Sequence, residues 1–575
     1  MNVKKNKNAG IPVPAIVWWV TVAFLLAAVV YPMTVLIANS FRAQGTASFD
    51  NYRRLFSDPS IRKSLLNSLR VVVPSTVLST ALGVFCAWAV VRTNVPGRKL
   101  FSRILAIPYF IPPFIGAISW TFLLGPKGIL NRVLMDIFRL SEAPIDIYTI
   151  GGMIFVMSVY RFAVPFIVVM PTMKRISASM EEAARISGAT PLRAMLDITL
   201  PLLLPSILGS MLLVFLFILS DFGVSAVLGA PNRIRLVTTE IFYLINRPDL
   251  PDHLQIASAY AMLLTVFALG GLYVYRRILK GSRYAVVRGE SGGLAPASLP
   301  GAAKWGLFAA LCVIFLVTTM APVAAACVTA LTKTWGIPFS AENATLANFT
   351  GLAAIRNISR AFRNSLLLAF LSALIITAVT LIVSYMAVRK KARGVAGVRI
   401  MEIMVTLPYA LPGTIIALGM ILAFARPLPY IGISIYGTFS ILLIAYVARF
   451  LNLGYNNITG AISQIDTSLE EAARMAGAGE VRTFRDIVIP LLLPSLGGTM
   501  LLVIAPTISE ISLSSLLWSV RNETIGTVIY SAMEEGRILR EAALAVLLIL
   551  LVVIVNFAAH SITERKDRYG KTGDR

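Results

Sequence analysis

The sequence predicts an all-α, polytopic membrane protein of about 12 transmembrane helices, arranged as two parallel six-helix repeats. Three observations point there. Of 575 residues, 57% are hydrophobic and 14% charged, with a mean hydropathy of +0.78, more apolar surface than a water-soluble chain can bury. Apolar runs of about 20 residues, the length that crosses a bilayer core of about 30 Å, recur from end to end. A polar, charged stretch is also written twice, once per half. From Glu181 it reads EEAARISGATPLRAMLDITLPLLLPS, and from Glu470 EEAARMAGAGEVRTFRDIVIPLLLPS. Glu182, Arg185, Gly188, Arg193, Asp197, Pro201 and Pro205 match Glu471, Arg474, Gly477, Arg482, Asp486, Pro490 and Pro494 at a constant offset of 289.

Spans are expected at 15–38, 66–91, 101–124, 148–172, 203–228 and 257–278 in a first half, residues 1–280. A second half, residues 305–575, repeats them at 305–331, 365–388, 403–425, 433–457, 492–518 and 541–560. Between the halves, residues 281–304 are rich in glycine, proline and small residues, the composition of a linker. Further matches keep the same order. NSL at Asn67 recurs at Asn364, IPYFIPP with Pro108 and Pro112 recurs as LPYALPG with Pro408 and Pro412, and Arg161 of YRF recurs as Arg449 of ARF. Six spans per half preserve orientation, so the repeats are parallel. The N-terminal MNVKKNKN precedes a long apolar run without a small-residue cleavage signal, and is expected to lead a retained first helix.

Short-loop charge sets the orientation. Arg92, Arg98, Lys99 and Arg103 have no acidic neighbours, and Arg389, Lys390, Lys391, Arg393 and Arg399 have only Glu402 further on. Loop 125–147 instead balances Lys127, Arg132 and Arg139 with Asp136, Glu142 and Asp146. The positive-inside rule then puts both termini and both repeated stretches in the cytoplasm. Loop 39–64 runs against the rule, since Arg42, Arg53, Arg54, Arg62 and Lys63 would face outward. The net charge of +24 is distributed between apolar spans, which suits lipid headgroups and argues against nucleic acid.

The repeated stretch reads as a helix over 177–187 and a turn at Gly188. A second short helix then runs to about Leu200, where Pro201 opens the next span. Ala183 and Ala184 permit close approach, so the element suits insertion into a partner's groove. One copy could be an ordinary loop; two aligned copies make that a poor account. EAA, three residues, Gly, nine residues, then I-x-L-P resembles the signature of inner-membrane permease subunits of bacterial ATP-binding-cassette importers. Glu182-Ala183-Ala184, Gly188, Ile198, Leu200 and Pro201 carry it, as do Glu471-Ala472-Ala473, Gly477, Ile487 and Pro490, with Ile489 in the leucine place.

That resemblance implies a fold of the importer-permease type in a bacterial inner membrane. Glu181, Glu182, Ala183, Ala184 and Gly188, and Glu470, Glu471, Ala472, Ala473 and Gly477, would form two coupling helices. These would sit in two copies of a cytoplasmic ATPase, with cargo arriving on a periplasmic binding protein. Within such permeases, a single chain with two six-span halves resembles the ferric-iron group, through IPYFIPPFIGAISWTFLLGPKG at 107–128 and DFGVSAVLGAPNRIRLVTTEIF at 221–242. Related fused permeases serve 2-aminoethylphosphonate, sugar phosphates, thiamine or polyamines. The chain has no G-x-x-x-x-G-K-[ST] phosphate loop: at Gly570-Lys571-Thr572, Arg565 stands where the first glycine belongs. ATP and Mg would therefore be used by the partner ATPase, and no catalytic residue, cofactor or metal is expected in this chain. Cys86, Cys312 and Cys327 lack metal or redox spacing, and His253 and His560 lie far apart. An ion-driven secondary transporter would share the parallel halves but leaves the repeated stretches without a role.

Asp221 is placed in the fifth span and Glu510 in the eleventh, with Arg161 and Arg449 in the middle of the fourth and tenth. A bare charge there costs about 2.5–3.5 kcal/mol, so these four should face protein or water. They read either as structural pairs, Arg161 with Asp221 and Arg449 with Glu510, or as polar groups lining a pathway. The prolines of IPYFIPP and LPYALPG mark either kinked helices or backbone bordering a cavity.

Overall fold

The computed structural model describes residues 15–176, 195–280, 299–390, 397–427 and 434–572, with 184, 186–188, 190, 193 and 432 between these stretches. Among them, 11 helices are long and apolar enough to cross a membrane, and a twelfth span is a bent pair, Val398–Ala410 with Gly413–Phe424, turned by 115°. Ten of the expected spans overlap these helices, most of them ending within several residues of the expected bounds. The third and ninth do not run straight. At Pro108–Pro112 and Pro408–Pro412 the chain passes through a single 3-10 turn before a new helix starts at Pro113 or Gly413. Proline supplies no N–H and crowds the preceding turn, so a pair four residues apart ends one helix and starts another. The fifth and eleventh spans also stop short of expectation, at Leu219 and Ile508.

Two compact units form, and neither is one half of the sequence. Of the described residues, the first contains those within 1–38, 360–526 and 554–575, and the second those within 39–359 and 527–553. The first helix of each half thus packs into the unit built mainly from the other half. In the first unit, Tyr31 stacks edge-on against Phe424 at 5.8 Å, and Met33 lies over Gly419. In the second unit, Phe308 meets Phe101 at 5.7 Å, and Leu311 is fully buried among Phe101, Phe162 and Phe166.

Among the described residues, four helices share one irregularity. Leu26–Val30, Met195–Thr199, Leu316–Met320 and Phe484–Val488 are π-type turns. Each lies just before a proline: Pro32, Pro201, Pro322 or Pro490. The wider turn absorbs the hydrogen bond that proline cannot make, and the helix continues. For this reason the second limb of the repeated stretch is not a separate helix followed by a span. In the second half it is the start of a continuous Glu480–Ile508 helix.

Close crossings hold each unit together. A Cβ on Gly83 would come within 2.4 Å of the Phe162 carbonyl and 2.9 Å of Pro165. A Cβ on Gly454 would meet Thr380 at 2.7 Å and Ile376 at 2.8 Å. Thr380 stands where Gly83 stands in the first half, at the spacing that relates Asn67 to Asn364. The same crossing is made tight in both halves by a glycine on opposite partners, as apolar helices without a hydrophobic drive require. Gly83→Val and Gly454→Val are each expected to cost about 1–3 kcal/mol. Gly351→Ala, where nothing lies within 4 Å, should cost little. Thermal unfolding of the purified protein followed by tryptophan fluorescence reads this directly, and equal midpoints for all three variants would contradict the tight crossings.

Candidate docking loops and intramembrane ion pairs

The second copy of the repeated stretch is described throughout. Thr467–Met475 is a helix whose N-cap, Asp466, accepts from the Ser468 N–H at 2.9 Å, and that N–H holds the carboxyl below its ordinary range. The helix ends at Gly477, with φ +83°. There the Ala478 N–H reaches back to the Ala473 carbonyl at 2.9 Å, closing the last turn as left-handed caps do. A Cβ at Gly477 would meet nothing, so the glycine serves the turn alone. Gly188 of the first copy likewise has a positive φ, +91°. Glu181, Glu182 and Ala183 lie outside the described residues, whereas Ala184 is helical and half-buried. Behind the turns, Arg193 pairs with Asp197 at 3.3 Å and Arg482 with Asp486 at 3.5 Å, all four exposed, so these pairs contribute little to stability.

The adjacent acids of the second copy take opposite roles. Glu471 is exposed, as are Ala472 and Gly477, while Ala473 is half-buried. Glu470, expected on the docking face, is only 3% exposed and points inward. Its Oε1 lies 2.7 Å from Arg389 Nε, and its Oε2 accepts from the Tyr385 hydroxyl at 2.9 Å. Adjacent residues on a helix are about 100° apart, so both acids cannot face one partner. One feature of this surface escaped the sequence reading. Met475 is 89% exposed, and Ile186, at the matching place in the first copy, is 88% exposed. Met475 follows Glu471 by four residues and shares its face. Leu469 and Val481, at 46% and 51%, extend the apolar area. The recurrence of a large apolar residue just before a polar turn was the available signal.

The four intramembrane charges form two pairs. Arg161 Nη2 lies 3.3 Å from Asp221 Oδ2, and Arg449 Nε lies 3.4 Å from Glu510 Oε2. The acids are not within helical spans, as expected from sequence, but just past their ends. Asp221 Oδ1 accepts from the Val224 N–H at 2.8 Å, and Glu510 Oε1 from the Leu513 N–H at 2.9 Å. Each carboxylate thus caps the short element after the break with one oxygen and meets its arginine with the other. Their backbone carbonyls also accept from Ser225 and Ser514, residues at the 289 offset. In the second half, Arg449 additionally donates to the Leu411 carbonyl at the bend of the ninth span at 3.5 Å. A Cβ on Gly413 would come within 2.7 Å of Arg449 Nη1, so glycine there admits the guanidinium. The proline break and the ion pair form one node.

The repeated NSL triplets close the next segment. Asn67 donates to the Arg235 carbonyl at 3.3 Å, and Ser68 accepts from the Val237 N–H at 2.8 Å. Asn364 donates to the Arg521 and Glu523 carbonyls at 3.1 and 3.0 Å, and Ser365 accepts from the Ile525 N–H at 2.9 Å. Each triplet thus holds the chain that follows an acid-capped break.

A family model described as "Binding-protein-dependent transport system inner membrane component" matches twice, over residues 79–284 and 380–568. A probable ABC transporter permease of Sinorhizobium fredii is 25% identical over 560 residues, 96% of this chain and 95% of that protein. A putative ferric transport system permease of Haemophilus influenzae is 28% identical over 472 residues, 81% of this chain and 72% of that protein. A putative 2-aminoethylphosphonate transport system permease of Salmonella typhi is 26% identical over 264 residues, which is 45% of this chain but 89% of that protein.

Removing one member of a buried pair leaves the other charge uncompensated, at a cost of about 3–5 kcal/mol. Arg449→Met is therefore expected to unfold at markedly lower temperature than the parent, and Arg449→Met with Glu510→Gln to recover most of the loss. A double variant no more stable than the single one would show that the pair is not what holds the node.

Proposed function

This chain belongs to the family of binding-protein-dependent transport system inner membrane components, and on that premise we propose that it moves ferric iron across a bacterial inner membrane under the drive of separate ATPase subunits. It is the permease of an importer, with both family domains in one chain. The observation that supports an external motor most is the exposed elbow: Glu471 and Met475 on one face beside a glycine turn, matched by Ile186 and Gly188. A nearly fully exposed Met or Ile recurs at both copies beside a glycine turn, and either would gain by entering a partner's apolar pocket.

In this reading each elbow inserts into a cleft of one of two ATPase copies on the cytoplasmic side, where both chain termini also lie. Ala472 lets the partner's backbone approach, Met475 and Ile186 fill apolar pockets, and Glu471 meets a basic residue. ATP and Mg bind the partners, whose closure draws the elbows inward and opens the pathway outward to a loaded binding protein. Hydrolysis restores the inward-facing state. The Arg161–Asp221 and Arg449–Glu510 pairs hold the broken helices and leave no net charge at either node.

Ferric iron is favoured because the full-length relative named for it spans both halves of this chain, whereas the aminoethylphosphonate relative is a single half. 2-Aminoethylphosphonate stands as the second reading, on the strength of the match over one half.

Co-expression with a candidate ATPase subunit and pull-down of the permease should recover both subunits. Glu182→Lys with Glu471→Lys, and separately Met475→Asp, should lower that recovery about tenfold or more, as loss of a central contact does, without changing the permease's unfolding temperature. Full recovery with both variants would reject the docking role. Radio-iron uptake by cells expressing the system should exceed that of a deletion strain. Uptake of 2-aminoethylphosphonate instead would reject the cargo assignment.

A further inference from the structure

Arg389 stands at the junction of three elements. It lies in the last turn of the Arg356–Lys390 helix, and its guanidinium is mostly buried, with 11% of the side chain exposed. Nε meets Glu470 of the elbow at 2.7 Å, while Nη2 donates to the Ile465 carbonyl at 2.9 Å and the Ile462 carbonyl at 3.5 Å. The Ile462 carbonyl ends the Phe439–Ile462 helix and also accepts from the Ile465 N–H at 3.2 Å, and the Ile465 carbonyl belongs to the turn that follows. A cation at that end is also favoured by the helix dipole. One turn back on the same face, Tyr385 touches both limbs of the elbow. Its hydroxyl donates to Glu470, and its ring meets Phe484 edge-on at 4.8 Å. Ile458, Ile462, Val488 and Leu492 bury this contact.

We propose that Arg389, Glu470 and Tyr385 form a latch that makes the second elbow one rigid body with the Arg356–Lys390 helix. Force applied at the exposed face then reaches the membrane instead of bending the loop. This proposal rests on the elbow being the docking element. These are positioning residues, which touch neither nucleotide nor cargo. The helix they hold has 35 residues, about 52 Å at 1.5 Å each. Toward its other end, Asn364 and Ser365 grip the backbone of residues 521–525, the segment after the Glu510 break. One helix therefore connects the elbow at one end with the chain beyond the ion-pair node at the other. Exposed surface pairs would transmit little. Here both charges are desolvated and every oxygen of Glu470 is engaged, which makes the joint stiff and its loss costly.

The two halves are not equivalent at this joint. Arg92 holds the place of Arg389 at the spacing that relates Asn67 to Asn364, but Trp88 stands where Tyr385 does. An indole N–H can donate but lacks the reach and geometry of a phenol. The hydroxyl part of the latch thus belongs to the second half.

The test uses the full chain with its ATPase in lipid nanodiscs, and the variants Arg389→Met, Tyr385→Phe and Arg389→Lys. Two measurements apply. Hydrogen–deuterium exchange on the permease alone should show amides of residues 466–478 exchanging about tenfold faster in Arg389→Met, with a smaller rise in Tyr385→Phe. With the ATPase bound, Arg389→Met should retain the subunit as the parent does. Yet ATP hydrolysis should lose about tenfold of its stimulation by the iron-loaded binding protein, and Arg389→Lys should recover part of it. Unchanged exchange overturns the latch, and so does stimulation equal to the parent. Loss of the ATPase by Arg389→Met, at the level expected of Glu182→Lys with Glu471→Lys, also overturns it, because the residues would then belong to the docking face. A parent permease that binds no ATPase would instead sink the proposed function, while the exchange result still decides the latch.

Discussion

Inside a bilayer every backbone N–H and C=O released by a broken helix must find a partner within the protein, because no solvent is there to supply one. This chain breaks its helices often, and its architecture follows from how the breaks are closed. Prolines end the third and ninth spans at matching places, and Arg449 answers one of the freed carbonyls at Leu411. The fifth and eleventh spans stop before Asp221 and Glu510, whose carboxylates cap the next element. Where proline falls inside a helix that must continue, a π-type turn precedes it. Charged residues that look like a pathway in the sequence are therefore also the material that repairs the backbone. Their pairing with arginine follows because a capping carboxylate in low dielectric still needs a counter-charge.

Much of this was legible in the sequence. Apolar run length gave the spans, since bilayer thickness is a fixed ruler. The 289 offset gave the duplication, and of the two readings open for the four charges, pairs or pathway lining, the contacts of the paired one are present. What failed was local. A hydropathy run continues across Asp221 and Glu510 because Phe222, Ile511 and Leu513 are themselves buried apolar residues, so nothing in the pattern marks the helix end. The π-type turns were invisible for a related reason: each adds a residue to a turn without changing composition. The exchange of first helices between units was also out of reach, because periodicity says which face of a helix is apolar but not whose partner covers it.

Duplication also lets physical roles move between residues. Gly83 and Gly454 make one kind of crossing close from opposite helices. Either position satisfies the packing, since what the contact needs is one missing side chain, not a particular owner. The triplets at Asn67 and Asn364, by contrast, keep both residues in both halves. An amide that bridges carbonyls and a hydroxyl that accepts an N–H have no substitute that does both at that reach. Retention and drift across the repeat therefore separate positions where chemistry is required from positions where volume is.

The adjacent acids of the elbow follow the same logic. Under the proposed docking role, a short surface helix that is both a handle and rigid needs contacts on two faces, outward to a partner and inward to the bundle. Side chains next to each other in sequence leave a helix about 100° apart, so the shortest way to serve both faces is two polar residues in a row. Glu470 and Glu471 divide in that way, one at 3% exposure against Arg389 and Tyr385 and one in solvent. The doublet at Glu181-Glu182 repeats the pair of residue types, and Arg92 stands at the corresponding helix end. A doubled acid at the start of such an elbow is therefore better read as an anchor followed by a contact than as two contacts.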